Sequence, residues 1–266
     1  NLNRPRIFVF LSLFDFVILL TVSCSSTFIY ILIMKKYAII STRDENHPES
    51  LVKLQKFYVE AGFEVKIQEG FPTMLGAYKS ALDEIKPNNK DIIVFSHDDI
   101  EILTNKKTFN NILEYKTLDK KSGFLGLAGA CILTTNGVWW ERKVWEGGCL
   151  RGVVHHGTHS GKMNTTSFGT YGEVVVMDGV FFACRGRCAN NLDWSHPEYL
   201  EHGWDFYDIH ITSQAFQRGF RNEVVPIQVL HHSHGLGSTI ENGPWSQNRV
   251  CFKDVLPIAI SELQVK

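Results

Sequence analysis

Four apolar residues, Ile92 to Phe95, run straight into Ser96, His97, Asp98 and Asp99, so a stretch patterned as a buried strand ends in three ionisable side chains. A second such switch comes late in the chain, where Asn222 to Leu230 opens into His231, His232 and His234. Carboxylates at the carboxyl end of a strand can hold a hard divalent cation, which in turn bridges phosphate oxygens and keeps water in its remaining positions. Side chains alternate along an extended chain, so His97 and Asp99 share one face, Asp98 takes the other, and Glu101 can rejoin the first pair. One acidic pair is a weak signal, because Asp-rich turns are common without any metal. Two more acids, Asp205 and Asp208, stand at the start of a helical stretch, Glu201 to Phe220. Capping of free N–H groups and the positive end of the helix dipole account for one of them.

The elements that must position these residues alternate between strand and helix patterns. "YAIIS" (Tyr37 to Ser41) is a short apolar strand, and Leu51, Leu54, Phe57, Tyr58 and Ala61 then fall at helical spacing up to Gly62. "EVKIQE" (Glu64 to Glu69) alternates as a second strand, Thr73 caps a second helix running to Lys86, and "DIIVFS" is the third strand. Three strands joined by two helices imply parallel pairing with right-handed crossovers, and ligands of such sheets sit beyond the carboxyl ends of the strands. His97, Asp98 and Asp99 lie there. Later, Gly172 to Gly186 reads as one buried strand broken by Asp178-Gly179, and Asn222 to Gly235 as another.

Composition sets outer limits. Of 266 residues, 44% are hydrophobic and 21% charged, with a formal net charge of -1, as in an ordinary globular protein able to bury a large core. With no Lys/Arg-rich block there is no electrostatic footprint for DNA or RNA, so nucleic acid is not the expected partner. Residues 1–33 differ from the rest. Ile7 to Met34 is almost continuously apolar and long enough to span a bilayer, so residues 7–33 are expected to give a single membrane anchor; Asp15 interrupts them, and "MKKYAII" at Met34 also reads as a natural start. The expected organisation is therefore 1–33 as an anchor or extension and 34–266 as one domain, which is cytoplasmic if the segment is not retained. Six cysteines show no disulfide framework, and only Cys184 and Cys188 are close in sequence. The Trp- and His-rich middle, Thr134 to Thr170, has the make-up of a loop that closes over a ligand, while His155, His156 and His159 read as solvated loop histidines.

In their order, the strand-terminal acid motif, the Asp178-Gly179 strand, the Tyr207-Asp208 helix and the strand ending in "HHS" resemble the family 2-like glycosyltransferases with a GT-A fold, over Met34 to Gly237. The resemblance implies an α/β fold with a mixed, mainly parallel twisted sheet flanked by helices. The usual Asp-X-Asp motif of that family has His97 in place of its first acid here, which leaves Asp99 matched to the metal-binding acid. "FSHDD" with "HHS" is also similar to the metal-binding elements of galactosyltransferases of the same fold, where a late His completes the shell. That implies His232, ahead of His231 and His234. Such mixed ligation suits Mn²⁺, with Mg²⁺ as the second choice. In inverting members the base is the second residue of a Glu-Asp pair at a helix start; "YD" keeps the acid, implying Asp208, with Asp205 in reserve. Thr42, Arg43 and Asp44 after the first strand, Glu69 after the second, and Asp98 are the implied donor contacts. Asp178 and Gly179 match the sugar and acceptor region, and the rings of Trp140 and Trp204 can stack on a sugar face.

The function so implied is a metal-dependent, inverting glycosyltransferase moving a hexosyl or deoxyhexosyl group from a nucleotide sugar, UDP-sugar favoured, to a glycan or other hydroxyl acceptor. Two other classes fit parts of the pattern. A metal-dependent phosphoesterase could build a dinuclear site from His97, Asp98, Asp99 and the late histidines, and would act without an acceptor. A non-catalytic glycan-binding module would use the Trp-rich stretch and ignore nucleotide sugars.

Overall fold

The computed structural model describes residues 34–43, 49–135, 137–157, 162–232, 243, 246–250 and 262–265. Asp44, His159, His234, Cys24 and the apolar segment of residues 7–33 lie outside the described residues. Along the chain come β1 (Lys36–Thr42), α1 (Glu49–Glu60), β2 (Glu64–Glu69), α2 (Met74–Ile85), β3 (Ile92–His97), β4 (Ile100–Ile102), α3 (Lys106–Lys116), β5 (Ser122–Gly126), β6 (Ala128–Ala130), β7 (Ile132–Thr134) and α4 (Arg142–Glu146). There follow β8 (Leu150–Gly157), β9 (Met163–Gly169), β10 (Gly172–Val174), β11 (Val176–Met177), β12 (Phe181–Arg185), α5 (Gly186–Ala189), α6 (Tyr207–Gln217), β13 (Arg221–Val224), β14 (Val229–His231) and β15 (Glu262–Gln264).

The βαβαβ start forms as its sequence patterns dictate. β1 lies between β2 and β3 and runs parallel to both. Its alternate residues feed two different cores: Ala38 and Ile40 face Leu51, Leu54 and Tyr58 of α1 and Phe109 and Leu113 of α3. Tyr37 and Ile39 face Met74, Leu75 and Tyr78 of α2 together with Ile211 and Ala215 of α6. This two-sided burial explains why β1 and β3 read as continuous apolar runs. Thr73 caps α2, its hydroxyl accepting from the Gly76 N–H at 3.0 Å.

The rest of the main sheet is built from segments distant in sequence. Its order is β10-β13-β5-β12-β3-β1-β2, with β12 antiparallel to both β3 and β5 and β13 parallel to β5. A second sheet, β11-β6-β8-β14-β4 with β9 on β8, packs its apolar residues into the same core as α1. The mixed α/β architecture expected from the sequence is thus observed. Two long strands expected in the second half are each divided. Gly172 to Gly186 is three pieces, with β11 visiting the second sheet between β10 and β12. Asn222 to Leu230 is split at residues 225–228, where Pro226, which has no N–H for a ladder, lets β13 stay in the first sheet and β14 enter the second. The Trp-rich middle, expected as a closing loop, forms β7, α4 and the β8–β9 hairpin instead. Among the described residues no helix is long and apolar enough to cross a membrane.

One buried side chain ties these distant pieces together. The Asn222 amide oxygen accepts from the Phe124 N–H at 3.0 Å, and its NH₂ donates to the carbonyls of Val175 at 2.9 Å and Thr212 at 2.8 Å. It thereby joins β13 to β5, to the start of β11 and to α6. Asn222→Ala removes the partner of the buried Phe124 N–H and two hydrogen bonds to the carbonyls of Val175 and Thr212, and is expected to cost about 2–4 kcal/mol. The check is a urea titration: the midpoint should fall with the m-value unchanged.

Candidate active site

Strand direction brings the chemistry-bearing residues to one place. β3 ends at His97, and antiparallel β12 begins beside it, the His97 N–H donating to the Val180 carbonyl at 3.1 Å. Asp178 and Gly179, just before β12, therefore lie next to the end of β3. α6 starts over the same point, and a methyl group on Gly179 would meet the Tyr207 hydroxyl at 2.2 Å and the Asp208 Cβ at 2.7 Å. The sequence suggested that Gly179 lets a ligand approach; the neighbour that needs the space is the start of α6. After β3 the chain bends at Asp98 and Asp99 into β4, whose antiparallel partner β14 ends at His231, and β8 runs parallel to β14 with His156 opposite His231.

His97, Asp99 and His231 form one group, with a donor atom from each within 4.8 Å of the others. His231 Nε2 stands 3.3 Å from Asp99 Oδ2, and His97 Nδ1 stands 3.8 Å from Asp99 Oδ1. The Asp99 Oδ1 atom is buried and has no hydrogen-bond partner. Tyr207 fixes the His97 tautomer. With its proton donated to the Gly179 carbonyl at 2.9 Å, the Tyr207 oxygen, which also neighbours the Tyr78 hydroxyl, is placed to accept from His97 Nε2–H at 2.7 Å, the tautomer that leaves the Nδ1 lone pair on the Asp99 side. Burial lowers the His97 pKa and outweighs the Asp99 charge. Burial also opposes the charge of His231, but the hydrogen bond and charge of Asp99 prevail and raise it. Two imidazoles and a carboxylate with an unsatisfied oxygen fit a first-row divalent cation.

His232, the late histidine implied by the resemblance, is not in this group. Its Nε2 sits 3.8 Å from Glu101 and its side chain is 42% exposed, against 10% for His231. Alternation along β14 sends His231 and His232 to opposite faces, and the bend at Asp98 and Asp99 frees Asp99 from the alternation of β4, so Asp99 meets His231 while Glu101 meets His232. His156, read as a solvated loop histidine, lies on β8 with its ring 5.8 Å from that of His231 and its Nδ1 buried without a partner. Tyr207 belonged to a recognised motif, but nothing in the sequence marked its hydrogen bond to His97.

Asp208 lies in the first turn of α6, as expected. One carboxylate oxygen accepts from the Gly179 N–H at 2.9 Å and the other from the Ile209 N–H at 2.8 Å. Burial, then the like charge of Asp178, pushes its pKa up to about 7. Asp178 accepts from the Val180 N–H at 2.9 Å. Asp205 falls outside the helix, in the preceding turn, where its charge adds to the upward pressure on Asp208 and also acts on Arg43.

The residues assigned to the donor lie around the ends of β1 and β3. The buried Thr42 hydroxyl donates to Asp98, joining the ends of β1 and β3. Arg43 lies over the Trp204 ring, 4.2 Å from its centroid. Burial lowers the Arg43 pKa, opposed by the nearby Asp205, Tyr207 and Asp98. Asn248, fully buried, holds the turn that presents Trp204 and Asp205: its oxygen accepts from the His202 N–H at 2.9 Å and its NH₂ donates to the carbonyls of His202 at 2.6 Å and Asp205 at 3.0 Å. Glu69 is exposed at the end of β2, in register with Thr42. Trp140 is placed elsewhere. It packs edge-on against Trp139 with ring centroids 5.2 Å apart, and Trp139 packs on Phe168 of β9, in the part of β9 that pairs with the start of β8 and away from His156 at the far end of β8.

The model of a family described as "Glycosyltransferase like family" matches residues 38–251. No curated protein gives a significant match. Among solved structures, A197 from STIV is similar at 13% identity with a TM-score of 0.45, covering 75% of this chain and 86% of its own. GalNAc-T7, solved with UDP, GalNAc and Mn²⁺, is similar at 13% identity and a TM-score of 0.45, covering 84% of this chain and 48% of its own.

The Asp208 carboxyl is expected to titrate with a midpoint of about 7, in contrast to its ordinary value of 3.8. Asp178→Asn removes a like charge, so it should lower that midpoint. Carbon-13 NMR of labelled aspartates reads both values directly, and an Asp208 midpoint that does not move in the variant would show that burial acts alone.

Proposed function

The chain belongs to the glycosyltransferase-like family, and from that premise we propose that it is a metal-dependent, inverting glycosyltransferase that moves a sugar from a nucleotide sugar to a hydroxyl of a glycan or similar acceptor. The observation that carries this reading is the part-buried Asp208 carboxylate, held on the Gly179 N–H beside Tyr207 and the group of His97, Asp99 and His231, with its pKa pushed up to about 7. A general base works best when its pKa lies near the working pH. Asp208 accepts the proton of the acceptor hydroxyl as that oxygen bonds to the anomeric carbon from the face opposite the leaving group. The bond from the anomeric carbon to the diphosphate oxygen breaks, and the nucleoside diphosphate departs with the electron pair. A divalent cation held by His97, Asp99 and His231, Mn²⁺ before Mg²⁺, supplies counter-charge to that diphosphate. Tyr207 keeps His97 in the tautomer that presents Nδ1. Thr42, Arg43, Asp98 and Glu69 surround the donor, Trp204 backs Arg43, and Asp178 orients the transferred sugar. UDP-sugars are the donors of first choice, and residues 7–33 supply a membrane anchor to the domain that begins at residue 34.

The test is a panel of UDP-, GDP- and dTDP-sugars with Mn²⁺ or EDTA, following nucleotide release, thermal shift and the anomeric configuration of the product. Asp208→Asn should lower kcat by roughly 10²–10⁴-fold while the donor-induced thermal shift persists. Retention of configuration would remove the base role. Phosphoester hydrolysis without an acceptor would instead assign the histidine and acid cluster to a hydrolase.

The metal assignment has its own check. His231→Ala should weaken Mn²⁺ binding by at least the roughly 10–100-fold that losing an outer-shell partner of a metal ligand costs, and His232→Ala should leave it unchanged, measured by calorimetry without donor. The opposite ranking would restore His232 to the site.

A further inference from the structure

We propose that Cys131 and Cys149 form a dithiol pair that a disulfide oxidant closes into an intramolecular disulfide, a covalent modification site separate from the sugar-transfer site. The register of β6 on β8 places them together. Ala128 faces Gly152, Gly129 faces Arg151 and Ala130 faces Leu150, so the next opposed pair is Cys131 and Cys149. The pairing continues that far, since the Cys131 N–H donates to the Cys149 carbonyl at 2.8 Å. Directly opposed residues of an antiparallel pair have Cα atoms about 4.5–5.5 Å apart and side chains on the same face, within the span a disulfide needs.

The surroundings favour closure. Cys149 follows Gly147 and Gly148, and Gly148 has φ +66°, so the backbone beside one sulfur can adjust. Both thiols are half-buried and reduced as they stand. Burial first, and then the neighbouring Cys149 thiol, pushes the Cys131 pKa up against the smaller opposing effect of Arg151, so what favours closure is the facing geometry and not thiolate character at Cys131. Cys184 and Cys188, close in sequence, differ in kind: both are fully buried in the core beside α2 and α6, where an oxidant has no access.

With glutathione disulfide as oxidant, one thiolate of the pair attacks a glutathione sulfur and expels a glutathione thiolate. The second thiolate then attacks the protein sulfur of that mixed disulfide and expels the other glutathione. The two cysteine protons end on the two glutathione thiols, so the pair loses two electrons and the oxidant gains them. The link closes the excursion that carries β7, Trp139, Trp140 and α4.

The full chain is incubated with glutathione disulfide, quenched in acid, alkylated and mapped by mass spectrometry. The expected product is a peptide pair joined through Cys131 and Cys149, two hydrogens lighter than the separate thiol peptides and released by dithiothreitol. Thermal unfolding should rise by roughly 5–10 °C on closure. Cys131→Ser and Cys149→Ser should each abolish the link, and Cys184→Ser should retain it. Recovery of both thiols as alkylated cysteine in the wild-type map, a lasting glutathione adduct on either, or linkage to Cys24 or Cys251 would overturn the proposal, whatever the variants do.

Discussion

The site depends on a single bend. At Asp98 and Asp99 the chain leaves the first sheet and enters the second, and the Thr42 hydroxyl holds Asp98 against the end of β1 as it turns. A straight strand would keep Asp99 bound to strict alternation, carrying it away from His231 and toward the exposed side where Glu101 and His232 meet. The bend breaks that rule for one residue. His97 then closes β3, Asp99 opens β4, and β14 delivers His231 to the seam between the two sheets.

Around this seam the protein accepts interactions that a stability-driven design would avoid. Asp178 and Asp208 repel each other, three imidazoles crowd together, and Asp99 keeps a buried oxygen without a partner. Unsatisfied or like-charged groups of this kind collect where ligands or reacting atoms later supply what is missing. The packing beneath is correspondingly rigid. Gly179 is pressed against Tyr207 and Asp208, and Phe206, buried just before them, holds a left-handed backbone at φ 67° that costs a non-glycine residue energy. Asp208 is therefore held by steric contact as well as by its two N–H donors.

Local pattern made the first half of the fold legible. β1, α1, β2, α2 and β3 appear within a residue or two of their expected bounds, because their periodicity and the Thr73 cap are properties of short windows. The positions of Asp208, Asp99 and His97 were likewise legible, each standing at the end or start of such an element. What sequence reasoning could not supply was pairing across distance. β12 slips between β3 and β5, Pro226 divides what looked like one strand, and the bend reverses the choice between His231 and His232. Trp140 shows the limit of composition, since a Trp-rich stretch packs a core as readily as it stacks on a sugar. Cys131 and Cys149 are separated by a helix and a strand, and only the β6–β8 register brings them face to face.

The insertion of β12 also sets the order in which this molecule can be built. Its two neighbours in the sheet are made long before it, and until it arrives β3 and β5 have no ladder partner between them. His231, which completes the group formed with His97 and Asp99, leaves the ribosome later still. A nascent chain can fold its βαβαβ start early, yet it must carry unpaired strand edges through much of its synthesis and holds no assembled site until β14 emerges. Until β12 docks, β3 and β5 each keep an edge without its final partner, and β5 keeps its other edge open until β13 follows.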